Sequence, residues 1–78
     1  MISKIIAIEN YTLELHLNDG SIRYFDVKPY LDYPAFSNLK NKDYFNKCEM
    51  DELEGVDWKD YGGSLSKDTL IAKSYLKK

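Results

Sequence analysis

Hydrophobic and polar residues alternate along the first third of the chain, which is the pattern of β-strands that bury one face. Residues 11–17 place leucines at alternate positions, with polar side chains between them, and this predicts a half-buried strand. Residues 2–9 are β-branched and apolar on both faces. We therefore predict a first strand that is central in its sheet or covered on both sides.

The sequence Asn-Asp-Gly-Ser at residues 18–21 predicts a hairpin turn. The length of this turn decides which face of the next strand, residues 22–27, joins the leucines. A two-residue turn would place Asp26 on the leucine face, whereas a three-residue loop with a left-handed Gly20 would place Phe25 and Val27 there. We prefer the three-residue loop because it keeps a carboxylate out of the core.

The rest of the chain predicts short elements and a final helix. Pro34 is a good first residue for one or two short helices. Residues 48–53 read as a weak strand and residues 56–58 as the last strand, while Ser66 is a good N-cap for a helix over 67–76. The predicted fold class is α+β: a small antiparallel sheet of about five short strands, one or two short helices in the middle, and a C-terminal helix.

The size of the chain bounds what it can do. Its 78 residues predict a single domain, residues 1–78. A chain this short has a thin core with little room for a deep, dry active site, and homodimerisation is a common way to bury more surface. The formal net charge of −2 lacks the basic excess that nucleic-acid binders usually carry.

Cysteine usage and hydropathy predict a cytoplasmic protein. Cys48 is the single cysteine, so no disulfide can form within the chain, which suits a reducing compartment. We find no pattern of a secretory signal, and no apolar run approaches the roughly 20 residues that span a bilayer. No membrane association is expected.

The residues with reactive or metal-binding side chains do not form a recognisable catalytic or metal-binding motif. His16 is the single histidine and is far from Cys48 along the chain, so neither a zinc site nor an activated thiol is expected. The acidic run at residues 51–60 leaves one alternative open, a small hydrolase that uses carboxylates such as Asp57 and Asp60. We predict no catalytic residue, no metal, no cofactor and no small-molecule ligand.

Surplus aromatic residues and the acidic balance favour a protein-interaction or regulatory module, with a protein partner or a second copy as its ligand. The candidate contact residues are Tyr33, Asp57, Asp60 and Tyr61. A third alternative is weak nucleic-acid binding through the cluster of Lys73, Lys77 and Lys78. A cluster at a helix end is more often simply solvated.

Several pieces of the chain also occur in a recognisable order. They are residues 13–20, residues 23–27, Phe36 with Leu39, Tyr44 with Phe45, Trp58, and residues 65–70. This ordered set resembles the small bacterial domain-of-unknown-function family 2442 over nearly the whole chain. Lys59 and Lys67 stand where that family often has proline. The resemblance implies a compact, β-rich α+β domain that often occurs beside a second small protein, in an arrangement like a toxin–antitoxin pair.

Overall fold

Two three-stranded antiparallel sheets and two α-helices make up residues 1–76, the part of the chain that this computed structural model describes. The strands are β1 (Ile2–Ile8), β2 (Thr12–Leu17), β3 (Ile22–Asp26), β4 (Glu49–Met50), β5 (Val56–Asp57) and β6 (Ser64–Leu65). The helices are α1 (Lys42–Phe45) and α2 (Lys67–Lys73), and 3-10 helices cover Lys28–Tyr30 and Pro34–Lys40. The predicted α+β class and the C-terminal helix are confirmed.

The predicted single sheet of about five strands is wrong. The first sheet has the order β1-β2-β3 and the second has the order β4-β5-β6. Each strand of the second sheet is two residues long, which is too short for alternation to reveal which strands pair. The strand β6 was not predicted, because Gly62 and Gly63 directly precede it and glycine is depleted in strands.

The predicted register of the hairpin is confirmed. Leu13 lies opposite Phe25 in the ladder between β2 and β3, and both side chains are buried. The backbone N–H of Leu17 donates to the carbonyl oxygen of Ser21 at 2.9 Å, which closes a three-residue loop. Gly20 has φ +90° in that loop, a conformation that glycine adopts without steric cost.

The prediction that the first strand is central or covered on both sides is wrong, because β1 lies at an edge of its sheet. Ile5 lies opposite Leu15 and faces the core. Ile6 and Ile8 face the other way and are half-buried. The apolar residues on the second face of β1 therefore mark a surface that the described chain leaves partly exposed.

One hydrophobic core joins the two sheets. Its fully buried side chains are Leu13, Leu15, Phe25 and Val27 from the first sheet and its end, Leu39 and Phe45 from the middle, and Val56, Trp58 and Leu70 from the last third. The indole N–H of Trp58 donates to the carbonyl oxygen of Phe45 at 2.7 Å. The two rings also stack with centroids 5.8 Å apart. The largest fully buried side chain therefore has no unpaired polar atom.

The C-terminal helix is shorter than the sequence predicted. Ser66 is the N-cap, and its side chain accepts from the backbone N–H of Thr69 at 3.2 Å. The helix ends at Lys73, and the chain then runs extended beside β3, where Tyr75 and Tyr24 form a β-bridge. Neither helix in the described chain combines the length and the apolar character needed to cross a membrane.

Candidate interaction surfaces

The outward face of the first sheet, here called the open face, carries apolar and aromatic side chains where a solvated face would normally be polar. Its members are Lys4, Ile6 and Ile8 from β1, Thr12, Glu14 and His16 from β2, and Ile22, Tyr24 and Asp26 from β3. Thr12 is buried and the other members are at least partly exposed. The apolar side chains lie on the two outer strands, with Ile6 and Ile8 on one side of Glu14 and His16 and with Ile22 and Tyr24 on the other.

An imidazole–carboxylate pair lies in the middle of the open face. Nε2 of His16 is 2.6 Å from Oε1 of Glu14, and the side chains are 27% and 23% exposed. The neighbouring strand places Ile22 opposite His16 and Tyr24 opposite Glu14. The imidazole is therefore hydrogen-bonded to a carboxylate and lies between Ile22 on one neighbouring strand and Lys4 on the other. The hydroxyl of Ser3 donates to the backbone carbonyl oxygen of His16 at 3.1 Å.

Residues 74–76, here called the strap, extend along the free edge of β3. Tyr24 and Tyr75 exchange two backbone hydrogen bonds, each 2.8 Å long. Nε of Arg23 donates to Oγ of Ser74 at 2.6 Å, and Nη2 of Arg23 donates to the carbonyl oxygen of Ser74 at 3.1 Å. The strap was not predicted, because the sequence pattern favours a helix that continues to residue 76.

Three of the four candidate contact residues lie in one region. Asp60 and Tyr61 line a groove together with Glu49, and Asp57 pairs with Glu49 across the ladder between β4 and β5. The ring of Tyr61 stacks on Tyr44 with centroids 4.2 Å apart and planes 16° apart. This stack holds Tyr61 half-buried, so it presents the edge of a fixed aromatic pair rather than a free side chain.

Tyr33, the fourth candidate, lies in a different groove. Its side chain is 58% exposed and packs edge-on against Tyr30, with centroids 6.0 Å apart. The same shallow groove is lined by Pro29 and Lys73. Lys77 and Lys78, the other members of the predicted cationic cluster, lie outside the described residues.

Two carboxylates of the acidic run, Asp51 and Glu54, accept hydrogen bonds from the backbone. Oδ1 of Asp51 accepts from the backbone N–H groups of Leu53 and Gly55, each at 2.8 Å. Oε1 of Glu54 accepts from the backbone N–H of Ile2 at 2.8 Å, which joins the second sheet to the start of β1. Within residues 1–76, no group of three or more His, Cys, Asp or Glu is placed to hold a metal ion.

Cys48 is half-buried against the core. Burial raises the pKa of its thiol, and a hydrogen bond from the backbone of Ala7 opposes that shift more weakly. A raised pKa keeps the side chain in its unreactive protonated form. His16 is hydrogen-bonded to Glu14 on the open face, whereas Cys48 packs against the core. The two residues therefore do not form a cysteine–histidine pair.

Comparison with known proteins identifies a family and leaves the activity open. The family model described as "Protein of unknown function (DUF2442)" matches residues 2–75. No curated protein and no solved structure matches the chain. The match includes both sheets, α2 and the strap as far as Tyr75, so it confirms the resemblance drawn from the ordered motifs.

Proposed function

The chain belongs to the family described as Protein of unknown function (DUF2442), and on that premise we propose that it is a non-enzymatic module that binds a protein partner. The observation that carries this proposal is the open face. Ile6 and Ile8 on β1 and Ile22 and Tyr24 on β3 lie on one sheet face, on either side of the bonded pair Glu14 and His16, and all four are at least partly exposed. Exposed apolar surface on a sheet face is characteristic of binding sites.

The composition of the open face suits a protein interface. Aromatic residues are enriched at interfaces and unpaired charges are disfavoured at their centres. Glu14 and His16 are already bonded to each other, so covering them leaves neither group without a partner. Tyr24 supplies a large and rigid side chain of the kind that often dominates binding energy.

The area required indicates that a partner covers more than the open face. A specific interface takes about 800 Å² from each partner, which is about a sixth of the 5098 Å² surface of the chain. A three-stranded face of short strands supplies less than that. We expect the contact to continue over the strap, where Tyr75 is 47% exposed and next to Tyr24.

The hydrolase alternative receives less support from the geometry. Asp51 and Glu54 are engaged by backbone N–H groups, and Glu49, which lies opposite Asp57, forms an ion pair with Lys59 at 3.6 Å. A carboxylate enzyme needs two acidic groups that converge on a substrate cleft. Asp57 and Asp60 fit better as the acidic rim of a second contact region.

A regulatory role in a two-gene system is one form of this proposal. It rests on the arrangement that the family resemblance implies, in which a second small protein is encoded beside the first. The product of the neighbouring gene is then the first partner to test, and it is expected to bind the open face.

The proposal is tested by co-purification from the source organism with tagged wild-type chain and two variants. The double substitution Ile22→Ala with Tyr24→Ala removes the apolar side chains that β3 contributes to the open face, and Leu53→Ala is the matched control because Leu53 is 82% exposed in a turn elsewhere. We expect a bound protein that the double variant loses and the control retains.

Two results would overturn the proposal. One is recovery of the same proteins by wild type and the double variant. The other is a chain that recovers no partner and is monomeric at high concentration in sedimentation equilibrium. A homodimer that the Ile22 and Tyr24 substitutions dissociate would support the proposal and identify a second copy as the partner.

A further inference from the structure

The register of the first sheet arranges the open face as three rows that run across the strands. The rows are Lys4, His16 and Ile22; Ile6, Glu14 and Tyr24; and Ile8, Thr12 and Asp26. A cation, Lys4, and an anion, Asp26, therefore occupy diagonally opposite corners of the face. Isoleucines occupy the other two corners, and Glu14 lies at the centre.

Both corner charges are accessible to a partner. Lys4 is exposed and forms no ion pair with any residue in the described part of the chain. The side chain of Asp26 is 37% exposed, and its Oδ1 is 2.9 Å from the backbone nitrogen of Lys28 and 3.1 Å from the ammonium of Lys28. The second carboxylate oxygen can accept further hydrogen bonds. The ammonium of Lys28 also donates to the carbonyl oxygen of Asn10 at 3.1 Å, which draws it toward the turn between β1 and β2.

The positions of these charges distinguish the ways in which two open faces can pack together. Two identical faces in contact are related by a two-fold axis that lies between them. An axis along the strands or across them sets each corner charge against an isoleucine, and the diagonal through Lys4 and Asp26 sets like charges together. The remaining diagonal runs through Ile8 and Ile22. It places Lys4 of each copy near Asp26 of the other, and it sets each of these isoleucines against its own counterpart.

We propose that the partner of the open face is a second copy of this chain, packed face to face about the diagonal through Ile8 and Ile22, with two reciprocal ion pairs between Lys4 and Asp26. The inference rests on the proposed protein-binding role of the open face and names the occupant. A foreign partner would have to supply the complementary charges, whereas a second copy supplies them by symmetry.

The geometry of β-sheets is compatible with this arrangement. With about 4.8 Å between strands and about 6.8 Å between alternate residues, the strands of the two copies cross at about 70°, closer to the orthogonal class of sheet packing than to the aligned class. Glu14 lies on the axis, and Nε2 of His16 is 2.6 Å from its carboxylate. The two carboxylates that meet there therefore each keep a partner.

The test is sedimentation equilibrium of the wild-type chain, Lys4→Asp, Asp26→Lys, and an equimolar mixture of the two variants. The open face is small for a stable interface, so the measurement covers high protein concentrations. We expect each variant alone to dimerise about tenfold more weakly than wild type, because both ion pairs become repulsive contacts. The mixture should regain wild-type affinity, since the mixed dimer joins the new anion at position 4 to the new cation at position 26 and the unchanged Lys4 to the unchanged Asp26.

The matched controls are Lys40→Asp and Asp32→Lys. These residues form an exposed ion pair at 3.8 Å outside the open face, and their reversal changes the net charge by the same amount. We expect both controls to dimerise as wild type does. If Asp26→Lys does not fold, Asp26→Asn replaces it, because the mixed dimer with Lys4→Asp then keeps one attractive pair and should still form more tightly than either variant alone.

Three results would overturn the inference. They are a wild-type chain that stays monomeric at high concentration, a dimer that the Lys4 and Asp26 variants do not weaken, and a mixture that associates no better than its components. A monomeric chain whose co-purifying protein is lost on substitution of Ile22 and Tyr24 would also overturn it, while leaving the proposed binding role intact.

Discussion

Trp58 is the residue on which the packing of this small protein depends most. It is fully buried, it hydrogen-bonds the carbonyl oxygen of Phe45, and it packs against the rings of both Phe36 and Phe45. A core this thin has few alternative contacts to compensate for a lost ring. The single Trp therefore fixes how the middle of the chain meets the second sheet.

We expect Trp58→Phe to lower the free energy of unfolding by about 2–3 kcal/mol, because it leaves a cavity and an unpaired carbonyl group at Phe45. The measurement is urea unfolding followed by far-UV circular dichroism. Tyr44→Phe is the control, since Tyr44 is 37% exposed and should change stability by less than about 0.5 kcal/mol. A loss below about 1 kcal/mol for Trp58→Phe would contradict this account of the core.

Cys48 gives a pH-dependent prediction. Burial raises the pKa of its thiol in the folded state, so the fold favours the protonated thiol. This preference contributes fully to the free energy of unfolding below the thiol pKa of the unfolded chain. The contribution is lost as the pH rises through the higher pKa of the folded state. Cys48→Ala should therefore lose less stability than wild type when the pH is raised from neutral into the alkaline range.

The same shift predicts slow alkylation of Cys48 by iodoacetamide at mildly alkaline pH, compared with an unstructured peptide that contains one cysteine. Reaction rates measured by mass spectrometry would check this. Identical pH slopes of stability for wild type and Cys48→Ala, together with peptide-like alkylation, would show that the thiol is not held in the environment described.

At the scale of elements, two glycines with nearly the same backbone conformation have different surroundings. Gly20 in the hairpin has φ +90°, and an added Cβ would meet nothing within 4 Å. Gly63, just before β6, has φ +89°, but an added Cβ would lie 2.9 Å from the ring of Phe36. Gly20 is required only for its positive φ angle. Gly63 is required both for its positive φ angle and because a Cβ would collide with the ring of Phe36.

Gly20→Ala should cost about 1 kcal/mol, the usual penalty for an alanine at positive φ. Gly63→Ala should cost at least about 1 kcal/mol more, because Phe36 must move within a packed core. Thermal and urea unfolding of both variants would measure the difference. Equal losses would mean that Phe36 adjusts freely and that β6 is not held tightly against it.

At the scale of the molecule, the two sheets share one core and should not unfold separately. Leu13 and Phe25 of the first sheet belong to the same buried cluster as Val56 and Leu65 of the second. The bond from Ile2 to Glu54 also joins the two sheets. Neither sheet has a hydrophobic core of its own.

We therefore expect a single cooperative transition. Trp58 fluorescence reports on the middle and second sheet, while far-UV circular dichroism is dominated by the larger first sheet and the helices. The two curves should coincide in urea. A fluorescence transition at clearly lower urea would show that the second sheet detaches first and would contradict the shared core.

The local pattern of the sequence predicted a substantial part of this fold. The alternating leucines of β2, together with Gly20, were sufficient for the register of the β2–β3 hairpin, because a buried face and a turn fix register locally. Ser66 predicted the start of α2 for a similar reason, since a cap acts on the next few residues. The ordered motifs also identified the family.

For the candidate surfaces, local pattern was less informative. Tyr33 and Tyr61 were selected as exposed loop aromatics, but the ring of Tyr61 is stacked on Tyr44, which lies 17 residues earlier. The open face was missed because the isoleucines of β1 were taken as evidence for a covered strand. An apolar residue that faces a core and one that faces a partner look the same in a sequence.

What the sequence determined by itself, then, is the set of local elements: strands with a buried face, a hairpin with one register, and a capped helix start. Tertiary structure decided that β4, β5 and β6 form a separate sheet and that Tyr75 joins Tyr24 across about 50 residues. The physical reason is that a hydrogen bond between distant segments leaves no periodicity in either one. It depends on which edges the packed core brings together, and only the assembled chain contains that information.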